Sequence, residues 1–551
     1  MYQPPIQYTH ELHEYPRPAM DYAIADTSYL DLDERRRAAL SEIDSARFSW
    51  FHVRACIVSG IGFFTDSYDL FAINLVSLMF GWVYFQENGN RTPSNIDTTI
   101  KISASIGTMI GQFLFGWLAD KFGRKRMYGI ELTIILIATI GQAVAGSSST
   151  IPLWVIISFW RVVLGIGIGG DYPLSAVITS EFATTQRRGA MIAAVFAMQG
   201  LGILSASIVS VLVLLGYRDA IRRDVGVLDQ CWRIVIGVGA IPAVVALYYR
   251  LTIPETPRYT MDVEQKISKG AKDAAAFLHK GAAAGDYEDQ DLVEHSELPR
   301  ASLRDFIKYF SRMENFKLLF GCASTWFLLD IAFYGIGLNN GFILDSIGFR
   351  AGTHSNEAYA NLFSASVGNI IINLLGTVPG YWVCVFTIER LGRRNIQLMG
   401  FAMLTIIYVV MGATFYQLKT SSVAGFVVLF TLSQFFTNFG PNTTTFVVPG
   451  ELFPTRYRST CHGISAAFGK LGAIIAQVGF GEMKDIGGEG KFLDKLLLIF
   501  AGIMLLGFLC TFLITETKGR TLEELSNEDQ TRFVVQRPKN MEMTMRSPYA
   551  P

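Results

Sequence analysis

A helix needs about 20 consecutive apolar residues to cross the hydrocarbon core of a bilayer, and this chain offers such a stretch repeatedly. Twelve are counted, at roughly 53–80, 99–119, 128–147, 152–180, 190–216, 231–251, 315–339, 360–388, 395–417, 422–449, 459–482 and 492–515. The reading is an all-α integral membrane protein with twelve transmembrane helices, whose first partner is the lipid bilayer. Composition agrees. Of 551 residues, 50% are hydrophobic and only 17% are charged, where a soluble chain carries about a quarter. The formal net charge is +0, so charge balance points to no nucleic acid and to no particular protein partner. The six cysteines all fall in or beside apolar stretches, which suits packing rather than a disulfide framework. The first 50 residues are polar, with neither a short apolar core nor a small-residue cleavage site. No signal peptide is expected, and the first span would direct insertion itself.

Lysine and arginine sort by loop. KFGRKR (121–126), QRR (186–188), ERLGRR (389–394) and RYR (456–458) all fall on one side of the chain's weave, whereas GSSST (146–150) carries no charge. Basic loops stay in the cytosol, which places both termini there. YRDAIRR (217–223) dissents, being basic on the opposite side. The expected divisions are a cytosolic tail (1–50), a six-helix bundle (51–251), a cytosolic loop (252–314), a second six-helix bundle (315–515) and a second tail (516–551). The loop holds AAAFLHKGAAAG (274–285) and DYEDQD (286–291), and reads as partly helical and partly disordered.

An internal repeat organises the spans. DKFGRK is echoed by ERLGRR, with Gly123 and Gly392 lying 269 residues apart. SEFATTQRRG is echoed by GELFPTRYRS, with Glu181 and Glu451, and again Arg188 and Arg458, 270 apart. PETPR (254–258) closes the first half and TETKGR (515–520) the second. Two six-helix halves in the same order imply parallel repeats, with substrate held between them near the midplane.

Ionisable groups inside spans cost at least about 3 kcal/mol at the bilayer centre, so they face the interior, pair, or work. Asp66 and Asp69 share one face of the first span, and Arg161 and Asp171 lie in the fourth. Ten residues, or about 15 Å of helix, keep those last two apart. Gln199 lies in the fifth span. Trp326, Asp330 and Tyr334 share a face of the seventh. Asn438 and Asn442 lie in the tenth, and Lys470 in the eleventh. Plainer roles exist for several: Asp69 as a backbone cap, Arg161 as a static partner, Gln199 as interhelical glue, and the asparagines as amides satisfying a break beside Pro441. Asp171, Asp330 and Lys470 resist such readings. Gly165, Gly167, Gly169 and Gly170 suggest a close helix crossing and Pro173 a bend, which together would put Asp171 beside the central cavity. GxGxxG here is no dinucleotide fingerprint, since no βαβ unit surrounds it. NRT (90–92) is a glycosylation candidate.

GWLADKFGRKR (116–126) resembles the loop signature of the major facilitator superfamily. PETPR, ELFPTRYR and TETKGR resemble its sugar-porter-type branch. GGDYPLSAVITSE (169–181), FFTDSYDLF (63–71), NFGPNTTTF (438–446) and CHGISAAFGKLGA (461–473) are similar to the signatures of proton-coupled phosphate symporters of fungi and plants. The resemblance covers about 55 to 520. It implies import of inorganic phosphate with protons by alternating access, at the plasma membrane, with Tyr172, Gln199, Trp326, Tyr334 and Asn442 as phosphate contacts.

A carboxylate beside an anion repels it unless a proton lies between them, so Asp330 would be protonated or would accept from a phosphate hydroxyl. Sulfate offers no such hydroxyl at neutral pH and would be rejected; arsenate would not. Lys470 joins the substrate set. Asp66, Asp69, Asp171 and Asp330 are the proton-coupling candidates, with Arg161 or Lys470 pairing an emptied carboxylate. At the cytosolic helix ends, Asp120, Arg124, Glu181, Arg188, Arg258, Arg393, Glu451 and Arg458 suggest a salt-bridge latch that breaks as the halves rock; the plainer reading is topology alone. Competing functions are a proton-coupled sugar, polyol or organic phosphate porter, and a transporter-like nutrient sensor. No metal cluster and no nucleophile–base arrangement is evident, so neither a cofactor nor an enzyme activity is expected.

Overall fold

The computed structural model describes residues 32–252, 255–264, 266, 269–270, 301–346, 357–488 and 490–526. Both 274–285 and 286–291, read above as a partly ordered loop, lie outside the described residues. Among the described residues, twelve long helices run through the molecule. In the first half they are α1 (His52–Tyr84), α2 (Ser94–Phe122), α3 (Arg124–Ala143), α4 (Leu153–Phe182), α5 (Arg188–Gly216) and α6 (Val225–Leu251). In the second they are α7 (Met313–Gly337), α8 (Ala358–Leu391), α9 (Arg393–Ala413), α10 (Val423–Leu452), α11 (Arg458–Met483) and α12 (Leu493–Leu513).

Eleven of these are long and apolar enough to cross a membrane. The exception is α3. It opens on Arg124, Lys125 and Arg126 and carries Glu131 at its middle, yet it packs against α4 and α6 as a full member of the bundle. Lys125 and Arg126 are exposed at its end, while Arg124 and Glu131 are both fully buried.

The halves meet along α2 against α11 and α5 against α8. Small residues set the closest crossings. A Cβ on Gly107 or Gly111 of α2 would lie 2.1 or 2.2 Å from the backbone oxygens of Val162 or Ile166 in α4. One on Gly165 or Gly169 of α4 would lie 2.2 or 2.3 Å from those of Ala104 or Thr108. Gly167 and Gly170 face the other way, onto Ile135 and Glu131 of α3. Removing these side chains lets α4 be gripped from two sides, the usual route to tight helix contact in lipid.

Two helices are interrupted. α10 breaks at Phe439 and Gly440 and resumes at Pro441. Pro441 lacks a donor, and Asn438 and Thr443 answer local carbonyls at 2.8 and 2.7 Å. A five-residue π segment, Asn373–Thr377, lies inside α8 just before Val378 and Pro379; such widened turns gather at functional sites. Within the expected N-terminal tail, Leu32–Ser45 is helical. It lies on the face bearing the basic loops, where Leu40 packs with Met261.

Candidate functional site

At the centre, polar side chains from six helices join into two short chains. In the first, Lys470 of α11 reaches α7: its Nζ lies 3.1 Å from Asp330 Oδ2 and donates to Tyr334 OH at 2.8 Å. The ammonium also sits over the rings of Tyr334 and Tyr172, at 4.2 and 5.1 Å. In the second, Asn442 Nδ2 donates to Tyr381 OH (2.8 Å), Tyr381 OH to Gln199 Oε1 (3.3 Å), and Gln199 Nε2 to Tyr172 OH (3.0 Å). Gly469 admits Trp326 and Asp330, since a Cβ there would lie 2.5 Å from the indole and 3.0 Å from Asp330 Oδ2. Phe63, Phe196 and Phe446 wall the space, with Phe196 and Phe446 stacked at 4.3 Å.

All seven residues singled out as substrate contacts are therefore in one place, and none is more than 3% exposed. Tyr381 was missed. Its neighbours Trp382, Val383 and Val385 are apolar, so the sequence around it reads as ordinary helix packing. Several N–H and O–H donors, one cation and one carboxylate suit a small anionic solute that carries a hydroxyl. Both faces are closed over the site. Phe71 of α1 stacks on Tyr334 (6.1 Å, 20°). Beyond it, Asn74 donates to Gly337 O and Lys101 to Asn339 Oδ1, each at 3.0 Å and each across the halves.

The carboxylates of the first half form a separate cluster. Asp171 does not face the central space as its sequence context suggested. Successive helix residues point about 100° apart, and while Tyr172 turns to the centre, Asp171 turns into the first bundle. There it is ion-paired with Arg250 (2.8 Å) and accepts from Ser175 (2.5 Å). Arg250 also binds Glu131, and its guanidinium lies 4.0 Å from the Tyr128 ring centre. Gly62 makes room for this triad: a Cβ there would collide with Arg250 and Asp171. Glu131 and Arg250 escaped the sequence reading, although an acid in mid-span was a usable signal. Asp66 is buried with neither carboxylate oxygen hydrogen-bonded. It lies within electrostatic reach of Asp171, Arg250 and Glu131 on one side and of Tyr172 and Tyr334 on the other. Asp69 accepts from Thr139 at 2.7 Å. Arg161 donates to the Ile100 carbonyl at 2.8 Å; its charged neighbour is Asp69 rather than Asp171.

The basic face is tied by a network that follows the repeat. Asp120 accepts from the Thr460 N–H (2.7 Å) and the Ser459 N–H (3.3 Å) at the start of α11, a carboxylate on a helix N-terminus. Its repeat mate, Glu389, accepts from the Ala190 N–H (2.9 Å) at the start of α5. Each half thus caps a helix of the other. Glu255 and Glu516 cap α3 and α9 in the same way, through the N–H groups of Arg124 (3.2 Å) and Arg393 (3.0 Å). These carboxylates come so near that Gly123 and Gly392, at φ 97° and 89°, leave no space for a Cβ.

Symmetry then fails in an informative place. Arg458 crosses the halves to Glu181 (3.0 Å), which also meets Arg124 (3.4 Å). The mate of Arg458, Arg188, does not reach Glu451, which is held by Arg393 (2.8 Å). Arg188 instead binds Asp44 of the N-terminal helix (2.9 Å) and the Arg520 carbonyl (3.0 Å). Arg258 shares Asp44 (2.9 Å) and also pairs with Glu523. The same helix is pinned by Arg36 to Asp262 at 2.7 Å. Burial alone pushes the Asp262 carboxyl up, but the Arg36 guanidinium, joined by Arg258 and the Thr455 hydroxyl, outweighs it and holds the group below the usual range.

Two six-helix halves closed around a sealed polar site define a membrane transporter of the major facilitator type. The chain belongs to the sugar (and other) transporter family, whose profile matches residues 55–528. It is 51% identical to the repressible high-affinity phosphate permease of Neurospora crassa, over 90% of each chain. It is 44% identical to an inorganic phosphate transporter of Saccharomyces cerevisiae, over 90% of this chain and 87% of that one. A probable inorganic phosphate transporter of Oryza sativa subsp. japonica is 42% identical, over 89% and 94%. Among solved structures, a proton:xylose symporter superposes with a TM-score of 0.67 at 22% identity, covering 86% of this chain and 98% of that one; at that identity the likeness speaks for the fold.

Proposed function

We propose that this protein imports inorganic phosphate together with protons by alternating access, across the plasma membrane, with the basic face and both termini in the cytosol. The observation that carries the reading is the buried Lys470–Asp330–Tyr334 group opposite Tyr172, Gln199 and Asn442. The names of the relatives point to the same solute.

Phosphate monoanion has oxygens that accept and hydroxyls that donate. Tyr172, Gln199, Trp326, Tyr334 and Asn442 donate to it, while Lys470 turns from Asp330 toward the anion. Asp330 then stands beside a negative charge and needs a proton, its own or one from a phosphate hydroxyl. That requirement accepts arsenate and rejects sulfate, which would leave a buried carboxylate unpaired. A neutral sugar would gain nothing from the ammonium, so the sugar-porter alternative is disfavoured by Lys470. Asp66, with its two free oxygens between the central site and the Asp171–Arg250–Glu131 triad, is the natural stop for a coupling proton; Asp69 and Arg161 form a second such station toward the opposite face. Inward movement of net positive charge gains about 2.3 kcal/mol per charge per 100 mV.

On this reading the eight latch residues hold the cytosolic side shut until substrate loads. The experiment is uptake of radiolabelled phosphate into proteoliposomes under an imposed pH gradient. Wild type should accumulate phosphate, and Asp330→Asn and Lys470→Ala should lose uptake by about 100-fold or more, as expected when one partner of a buried charge pair is removed. Competition by glucose, or uptake indifferent to the gradient, would overturn the proposal.

A further inference from the structure

Beyond Phe71 the structure opens into a vestibule of about 470 Å³ on the face opposite the basic loops. Its walls carry Lys101 from α2, Arg91 from the α1–α2 connection and Lys484 just after α11. We propose that this vestibule is a receiving site for tetrahedral oxyanions, built on Lys101, Arg91 and Lys484, that hands phosphate to the central site past Asn74 and Phe71. The proposal rests on the phosphate reading above and adds a second place of binding to it.

The three cations act on one another. Burial lowers the pKa of the Lys484 amine, and the positive charges of Lys101 and Arg91 lower it further, against the pull of Asp485 and Asp97. Cations pressed together in a cleft are relieved by an anion, and a cleft with low-dielectric walls concentrates that field. The two carboxylates are already engaged. Asp97 accepts from Ser77 (2.5 Å) and Lys101 (2.7 Å). Asp485 accepts from the Gly490 N–H at 3.0 Å, and its carboxylate stands 4.0 Å from Lys484. Lys101 is only 7% exposed and spends two of its three donors on Asp97 and Asn339, which leaves one for a ligand.

Position supports transfer. Asn74 lines both the vestibule and a smaller pocket whose wall includes Phe71, Phe333 and Asn340. Phe71 is the ring that lies on Tyr334. An anion in the vestibule is therefore one aromatic side chain away from the Lys470 group. Because Lys101 bonds across the halves to Asn339, an oxyanion that draws its ammonium away also loosens the outer seam. Among the described residues, the vestibule's carboxylates Asp97 and Asp485 keep their partners when an anion binds, unlike Asp330, which loses Lys470 to the solute, so the vestibule should not discriminate by solute protonation. Sulfate should enter it and stop there.

The test uses the full-length protein in proteoliposomes with inorganic phosphate and sulfate as probes. Sulfate should raise the KM for phosphate in wild type. Lys484→Gln should raise that KM about threefold and remove the inhibition by sulfate, while Lys484→Arg should behave as wild type. A KM and a sulfate inhibition unchanged in both Lys484→Gln and Arg91→Gln would overturn the receiving site while leaving phosphate transport intact. A second reading needs no transport. In Asn88→Cys, placed on the vestibule wall, either anion should slow labelling by an impermeant thiol reagent, and adding Lys484→Gln should abolish the protection. Labelling indifferent to both anions would refute the site even if phosphate proved not to be the transported solute.

Discussion

At the scale of single residues, the pairing of Lys470 with Asp330 makes a specific demand. A buried charge left without its partner costs about 3–5 kcal/mol, whereas removing both partners is far milder. Lys470→Ala should therefore lower the melting temperature measured in detergent, and Asp330→Asn combined with Lys470→Gln should recover most of the loss, although neither variant transports. Tyr381 carries a smaller burden. Its hydroxyl links Asn442 to Gln199, and Tyr381→Phe leaves an amide unsatisfied, a loss of about 1–3 kcal/mol. Uptake assays should show a raised KM for phosphate in that variant, with the fold intact. Lys470 and Asp330 were legible as anomalies in apolar helices. Tyr381 was not, because a tyrosine among apolar residues is ordinary until its partners are known.

At the scale of elements, the α2–α4 crossing and the N-terminal helix behave differently. Gly165→Ala would drive a methyl to 2.2 Å from a backbone oxygen that has nowhere to move, so about 1–3 kcal/mol of stability should be lost, read as a lower melting temperature. Gly502, where an added Cβ meets nothing, is the control. The helix Leu32–Ser45 is held instead by charge, through Asp44 and Arg36. Because the Asp262 carboxyl is held below its ordinary value, its contribution to docking is present above about pH 4 and fades as pH falls further. Limited proteolysis should find the N-terminal helix protected at neutral pH and released in acid, and Asp44→Asn should release it at neutral pH too. The glycine stripe was readable as a close crossing. The docking of the tail was not, since a polar segment shows its attachment only when the arginines it meets have been brought together.

For the whole molecule, the basic face is a repeat-symmetric set of caps with one asymmetric element. Asp120 and Glu389 each cap a helix of the other half, but of the repeat-related pair Glu181 and Glu451, among the described residues, Glu181 alone is ion-paired across the halves, through Arg458. Neutralising Glu181 should thus open the basic face more than neutralising Glu451, whose partner Arg393 lies in its own half. Cysteine accessibility on both faces of Glu181→Gln and Glu451→Gln reads this out; equal shifts, or none, would count against the latch. The outer seam is crossed by Asn74 and Lys101, by Ser94 to the Gly481 carbonyl (3.5 Å) and by the exposed Arg222–Glu357 pair (3.8 Å); none of these is a buried ion pair like Arg458–Glu181, so rocking of the halves should open this side more readily.

The sequence by itself determined the spans, the two-half repeat and the list of costly polar groups, because a bilayer penalises every exposed backbone bond and charge and so leaves its constraints in local composition. It determined even α3, whose apolar stretch at 128–147 stands among the twelve although the polar start of the helix keeps it out of the eleven most apolar spans. Which charge meets which was decided only by the tertiary structure. Asp171 and Tyr172 are neighbours in the chain and part company in space, one to Arg250 and one to the central site, because helical rotation and the packing of α2, α3 and α5 around α4 choose the direction of each. Arg188 and Arg458 stand in equivalent places of the repeat and take different partners, because a segment from outside the repeat reaches one of them first. Pairings between residues distant in the chain depend on how helices are rotated against each other, and that is a property of the packed molecule.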